Sequence, residues 1–311
     1  MFSIIVPFKK YNKDIETLIN RLNELSIKND FELILLPDYK IDIKIDINFN
    51  YQIIPTNEVS PSIKRNRGAE CSNFKYLVFI DADAYPDYDY FNILKINIDK
   101  LENNILGGPG ISPTNQSLIE KFIDTAFVSH KLISGNPERY IPKKNVFYVN
   151  ELPSMNMVVK KINFYVIGGF IDIWPGEDTD FCYQAKKKSI NCLYVHELIV
   201  VHRRRSNLIK HIKQIFNYGR KRSVILNRYD FDLKNIKYFF PSLIVIALIS
   251  SLVKLESLLL LVPYFLILIF NIIYLNHQNY KNFIYNIFSP LIITVTHISY
   301  GLGLIMGFIF K

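Results

Sequence analysis

From Phe239 onward the chain carries almost no charge, and this limits its fold more than any other feature of the sequence. Phe239–Val253 is an apolar run of 15 residues, Ser257–Leu275 is longer, and Phe283–Phe310 is longer still. A helix needs about 20 apolar residues to cross the hydrocarbon core of a bilayer. The second and third runs meet that length, and the first does so only if Tyr238 and Lys254 snorkel toward the interfaces. None of the runs has the polar face that a surface helix of a soluble domain shows to water. The pattern predicts about three transmembrane helices over residues 239–311.

The formal net charge is +9, and Lys and Arg gather from Arg203 to Lys237, immediately ahead of the apolar tail. A basic band in that place reads as a juxtamembrane segment facing anionic headgroups on the cytoplasmic side. Nucleic acid as a partner would instead call for a basic face spread over a soluble domain, so membrane lipids are expected and nucleic acid is not. The start, MFSIIVPFKK, puts its charges after a short apolar stretch, the reverse of a secretory signal peptide. Cys71, Cys182 and Cys192 are odd in number and form no CxxC pair, which fits a reducing compartment. Together these features predict a multi-pass protein of the cytoplasmic (inner) membrane, its first domain in the cytoplasm.

That first domain reads as α/β. Phe2–Val6, Phe31–Leu36 and Tyr76–Ile80 look like buried strands. Between the first two, Ile15, Leu18, Ile19, Leu22 and Leu25 recur at helical spacing. Strand, helix, strand is a βαβ unit, which predicts a mostly parallel sheet with ligands bound beyond the carboxyl ends of its strands. The residues to inspect are therefore Pro7, Asp38, Asp81 and Asp83. GGPG at Gly107 to Gly110 is a place where backbone can approach a ligand or turn sharply, and a helix is expected to start near Glu177.

Chemistry concentrates in two acidic clusters. FIDADAYPD sets Asp81 and Asp83 after a buried strand, where two carboxylates at i and i+2 can reach one hard cation. The same pattern is common in plain turns. EDTD, Glu177 to Asp180, supplies either a general base or carboxylates that suit the dipole of a helix N-terminus. Trp174, just before it, offers a flat face for a sugar or for a hydrophobic core. His202 follows a strand-like LIVV and reads as a metal ligand or a structural histidine, and Arg203 to Arg205 read as diphosphate or headgroup contacts.

Taken in order, SIIVPF, ELILLPD, KRNRGA, FIDADAYPD, GGF followed by GEDTDFCYQ, and VVHRRR resemble the family 2 glycosyltransferases with a GT-A fold, over roughly residues 2–205. The apolar tail resembles that of membrane-anchored members acting on bacterial cell-surface glycans or polyprenyl phosphates. The resemblance implies an inverting transferase that uses a nucleotide-sugar donor, Mg²⁺ or Mn²⁺, and a lipid-linked or glycan acceptor. It implies Asp178 as catalytic base beside Glu177, and Pro7, Asp38, Arg65, Asp81 and Asn156 around the donor. Asp83, Asp81 and His202 would hold the metal, and Trp174, Gly107 and Gly108 would meet the acceptor. The implied division is a GT-A domain over 1–205, a basic amphipathic segment over 206–238 and the membrane helices over 239–311.

Two departures stand out. LLPDYK places Pro37 where many relatives have an acid, which weakens the nucleobase assignment, and KQIFNYGRKR lacks the QxxRW pattern of processive synthases. Other readings are a polyprenyl-phosphate sugar synthase, a noncatalytic glycan-binding protein on the same fold, and a nucleotidyltransferase. The last lacks a Gly-rich phosphate loop near the N-terminus.

Overall fold

A computed structural model describes residues 1–26, 31–41, 47–229, 233–279 and 282–310. In chain order its elements begin with β1 (Phe2–Pro7), α1 (Lys13–Ser26), β2 (Phe31–Leu36), β3 (Tyr51–Ile53), α2 (Pro61–Cys71), β4 (Tyr76–Ile80), β5 (Ala84–Pro86) and α3 (Tyr90–Ile96). There follow β6 (Asn104–Gly107), β7 (Gly110–Ile111), α4 (Leu118–Phe127), α5 (Lys131–Ser134), β8 (Phe147–Val149), β9 (Asn156–Lys160), α6 (Lys161–Ile167) and α7 (Glu177–Lys187). β10 (Asn191–Tyr194), β11 (Val200–His202), α8 (Leu208–Arg228), α9 (Phe240–Ser251), α10 (Val262–Gln278) and α11 (Phe283–Ile309) complete it. The described residues form two compact units: Met1–Pro113 with Glu138–Arg203, and Thr114–Pro137 with Arg204–Lys311.

The first unit is built on an eight-stranded sheet in the order β3-β2-β1-β4-β9-β6-β10-β8. The expected parallel arrangement holds from β3 to β4, where Ile4 of β1 lies opposite Leu33 on one side and Val78 on the other. Beyond β4 the sheet is mixed, because β9 runs antiparallel to both of its neighbours. Both faces are covered. Phe2, Ile4 and Val6 point into one core with the apolar stripe of α1, while Ile5 points into another with Phe164, Phe181 and Ala185. Each such side chain, withdrawn from water, contributes about 1.5–3 kcal/mol. α1 forms where its spacing predicts it, and Asn12 Oδ1 accepts from the Asp14 and Ile15 amides to cap it.

A smaller three-stranded sheet, β5-β11-β7, stands beside the large one. The strand-like LIVV gives Val200 and Val201 to β11 of this sheet, with His202 opposite Ala84 of β5.

In the second unit, Ile123 and Ala126 of α4 pack among Ile244, Tyr264, Leu268 and Ile293 of the apolar helices. Residues 114–137 are therefore grouped with the C-terminal helices, although the sequence reading runs its first domain unbroken to residue 205. The reason is the apolar face of α4, which follows its Ser117–Glu120 capping box. Two helical segments, Leu255–Gln278 of 24 residues and Phe283–Ile309 of 27, are long and apolar enough to cross a membrane. The first expected span is not: α9 has 12 residues, about 18 Å at 1.5 Å each, against a core of about 30 Å. Among the described residues, the expectation of three spans gives way to two helices of sufficient length.

Candidate functional site

At the carboxyl ends of β1 and β2, Lys64 of α2 is buried. Its Nζ donates to the carbonyl oxygens of Phe8, at 2.6 Å, and Leu36, at 3.3 Å, and pairs with Asp38. Pro7 is buried at the end of its strand, and Asp38 is largely buried with its carboxylate held by Lys64. A buried ammonium is costly to desolvate, and these acceptors offset that cost.

The next residue of α2, Arg65, joins the two acidic clusters. Its Nη2 meets Asp81 Oδ1 at 2.5 Å and its Nη1 meets Glu177 Oε1 at 2.7 Å. Arg65 is 2% exposed, and its Nε has no hydrogen-bond partner among the described residues. Glu177 also accepts from the Ser154 hydroxyl at 3.3 Å and, through Oε2, from the Gly176 amide at 3.0 Å. Burial pushes the Glu177 carboxyl up to about 7, against the pull of Arg65 in the other direction. Asp178 differs from its neighbour: it is half-buried, and its Oδ1 accepts from the Thr179 amide at 2.8 Å. Trp174 is 52% exposed on the loop that leads into α7.

Asp83 lies in the turn between β4 and β5, and the pairing of β5 with β11 brings His202 Nε2 to 3.4 Å from Asp83 Oδ1. Among the described residues no three His, Cys, Asp or Glu side chains converge on one point as a complete metal cage. Asp81, Asp83 and His202 nevertheless share one corner of the unit, and carboxylate and imidazole donors suit a hard or borderline divalent ion.

Asn156, Gly107 and Gly108 do not join this cluster. Asn156 is fully buried; its Oδ1 accepts from the Tyr90 hydroxyl at 2.9 Å and its Nδ2 donates to the Leu198 carbonyl at 2.7 Å. Its amide is consumed in the core rather than open to a sugar. A Cβ on Gly107 would sit 2.5 Å from the Asn156 carbonyl oxygen, and one on Gly108 would sit 2.1 Å from that of Leu198. Close approach of backbones is enough to require glycine at both positions.

The sequence reading did not single out the side chains that hold the loop before α7. Asn66 Nδ2 donates to the Phe170 carbonyl at 2.7 Å, while Asn66 Oδ1 accepts from the Phe170 amide at 2.9 Å. The Ser62 hydroxyl donates to the Ile173 carbonyl at 3.0 Å, and Ser60 donates to Asp172 at 2.5 Å. Phe170 itself packs on Phe79 and Phe181, with ring centroids at 5.1 and 4.7 Å. The available signal was the composition of α2, a helix whose buried positions include Ser62, Lys64 and Arg65 rather than an apolar stripe.

Residues 3–147 match the family described as Glycosyl transferase family 2. A relative from Methanococcus voltae, named dolichyl N-acetyl-alpha-D-glucosaminyl phosphate 3-beta-D-2,3-diacetamido-2,3-dideoxy-beta-D-glucuronosyltransferase, is 26% identical over 267 residues, 81% of each chain. Among solved structures, the mannosyltransferase PcManGT from Pyrobaculum calidifontis, in complex with GDP-Man and Mn²⁺, superposes with a TM-score of 0.63. That likeness covers 98% of this chain and 86% of the other at 12% identity, and GalNAc-T7 with UDP, GalNAc and Mn²⁺ follows at 0.50, over 78% and 50%, with 14% identity. At such identities the structures speak for the fold alone. The family match spans the strands and turns that carry Lys64, Arg65, Asp81 and Asp83, so the chain carries a glycosyl transferase family 2 domain over residues 3–147, and its fold is similar to that of the solved glycosyltransferases.

Proposed function

We propose that the protein transfers a sugar, with inversion, from a nucleoside-diphosphate donor to a hydroxyl group of a lipid-linked or cell-surface glycan acceptor, with Asp178 as the base. The observation that carries this reading is the contrast within the ED pair. Glu177 is buried and bound to Arg65, while Asp178, one residue on, is only half-buried and makes no salt bridge among the described residues. A base must be able to touch its substrate. In the reaction Asp178 takes the proton of the acceptor hydroxyl, and the oxygen forms a bond to the anomeric carbon. The bond from that carbon to the diphosphate oxygen breaks, and its electron pair leaves with the nucleoside diphosphate. Trp174 offers its exposed face to a sugar ring.

Asp83, with Asp81 and His202, would hold Mg²⁺ or Mn²⁺. Such ions take one or two carboxylates and complete their shell with substrate phosphates, which agrees with the open donor set here. When bound, the ion would neutralise charge that develops on the departing diphosphate. The Mn²⁺ in the named neighbours supports this choice.

The Methanococcus voltae relative is named for a dolichyl-linked sugar phosphate acceptor, which supports a membrane-borne acceptor here. The two apolar helices support a membrane location, and the basic residues from Arg203 to Lys237 support a cytoplasmic catalytic unit by the positive-inside rule.

The test is release of nucleoside diphosphate from a panel of nucleotide sugars, with Mg²⁺, Mn²⁺ or EDTA and membrane lipids as acceptors. Metal-dependent release from one donor, lost in Asp83→Ala and Asp178→Asn, is expected. Silence with every donor, together with no nucleotide binding by the folded protein, favours the noncatalytic reading. Release of pyrophosphate instead points to nucleotidyl transfer.

A further inference from the structure

We infer that Arg65 and Glu177 are positioning residues, a buried strut that fixes the first turn of α7 against the Asp81 turn and so sets where Asp178 stands relative to the donor. The inference rests on the proposed role of Asp178. It changes the parts expected of both residues, since neither then touches substrate.

Three observations carry it. First, the Arg65 guanidinium is 2% exposed and Glu177 is 3% exposed, so neither presents a surface for a nucleotide or an acceptor. Second, the two terminal nitrogens of Arg65 are engaged by acids from different elements, the end of β4 and the start of α7. A planar guanidinium bonded at both tips has little freedom to swing toward a ligand, and it holds its partners at a set separation. Third, Glu177 is itself fixed from other sides, by Ser154 and by the Gly176 amide. Thr179, one residue beyond Asp178, donates to Glu151 at 3.1 Å, and Glu151 is held in turn by Arg139 at 3.3 Å. Asp178 thus sits between two buried residues, Glu177 and Thr179, that are each anchored, on a turn with little room to drift.

The strut is a matter of hydrogen-bond geometry, and its Glu177 end needs an acceptor oxygen rather than a negative charge. An amide in place of the carboxylate still accepts from Arg65 Nη1, whereas a methyl group does not. A general base behaves otherwise, since an amide cannot take the proton.

The experiment compares Glu177→Gln, Glu177→Ala and Arg65→Lys in the full-length protein in detergent or nanodiscs. Steady-state kinetics are run with the donor identified by the release assay, and folding is checked by melting and by nucleotide titration. Glu177→Gln is expected to stay within about threefold of wild-type kcat, while Glu177→Ala falls about 100-fold, the size of loss that a 1 Å misplacement produces. Arg65→Lys, which keeps the charge but loses the fork, should lower kcat by a similar factor with donor KM within about threefold of wild type. Glu177→Gln as inactive as Asp178→Asn overturns the inference, because Glu177 is then acting as an acid or base. A donor KM raised tenfold or more in Arg65→Lys, with kcat unchanged, also overturns it and makes Arg65 a donor contact. If Glu177→Ala does not fold, the Glu177→Gln and Arg65→Lys results decide. Wild-type turnover in Asp178→Asn would remove the base from the proposed function, an outcome separate from any of these.

Discussion

Glu177 is an acid whose native state favours the proton, since burial raises its carboxyl from 4.5 to about 7. Below the lower value both folded and unfolded chains hold the proton, and the full contribution to stability is present. Between the two values the unfolded chain releases a proton that the native state retains, so this contribution falls as pH rises and is lost through about 7. Glu177→Gln keeps the acceptor for Arg65 and removes the titration. The difference in Tm, variant minus wild type, should therefore grow between pH 5 and pH 7.5 by differential scanning fluorimetry, and a flat difference would refute the elevated pKa. At this scale the sequence is legible where chemistry follows an element boundary, as with Asp81 and Asp83 after a buried strand or Glu177 at a helix start. It misleads where a polar or flexible residue has a packing task. The resemblance makes Asn156 a donor contact, yet Tyr90 and Leu198 use both ends of its amide. Such pairings join residues 66 and 42 positions apart, and local pattern holds no trace of them.

α2 is the element that turns separate motifs into one site. From a single helix, Ser62 and Asn66 hold the loop before α7, Lys64 ties the ends of β1 and β2, and Arg65 reaches both acidic clusters. Pro61 at its first turn and Ser60, whose Oγ accepts from the Ile63 amide, start it where the cap residues indicate. Asn66→Ala removes two hydrogen bonds to Phe170 and leaves a mostly buried amide and carbonyl without them. That should cost about 1–3 kcal/mol per unsatisfied group, read as a shift in chemical denaturation midpoint with unchanged slope. An unchanged midpoint would show that ring packing on Phe79 and Phe181 holds the loop without the asparagine. The strands and α1 were readable because one face of each is apolar at a regular period. α2 was readable only as the string KRNRGA, since its inward face is polar and no hydrophobic pattern marks it. The reversal of β9 was not readable at all, because direction in a sheet depends on the path of the chain between strands and not on the residues of the strand.

For the molecule as a whole, the number of membrane crossings decides on which side the chain emerges. The sequence offers three apolar runs, and an odd number of crossings puts the two ends of the protein on opposite sides. Among the described residues two helical segments have sufficient length, Leu255–Gln278 and Phe283–Ile309, while α9 ends after 12 residues, short of Lys254 and Glu256. A charged pair at the centre of a bilayer is expensive, by about 2.5–3.5 kcal/mol per group on insertion scales, so the Lys254–Glu256 region belongs at an interface or in water. On the proposed membrane location, with α9 on the near side, Leu255–Gln278 would cross outward and Phe283–Ile309 would return. Single-cysteine variants test this in intact cells with a membrane-impermeant maleimide, on a background in which Cys71, Cys182 and Cys192 are replaced. A cysteine at Asn279 should be labelled from outside, and one at Phe310 only after permeabilisation, on the same side as a cysteine at Lys10 in the catalytic unit. Labelling of Phe310→Cys from outside, with Lys10→Cys protected, would restore the three-span arrangement and require α9 to cross despite its length.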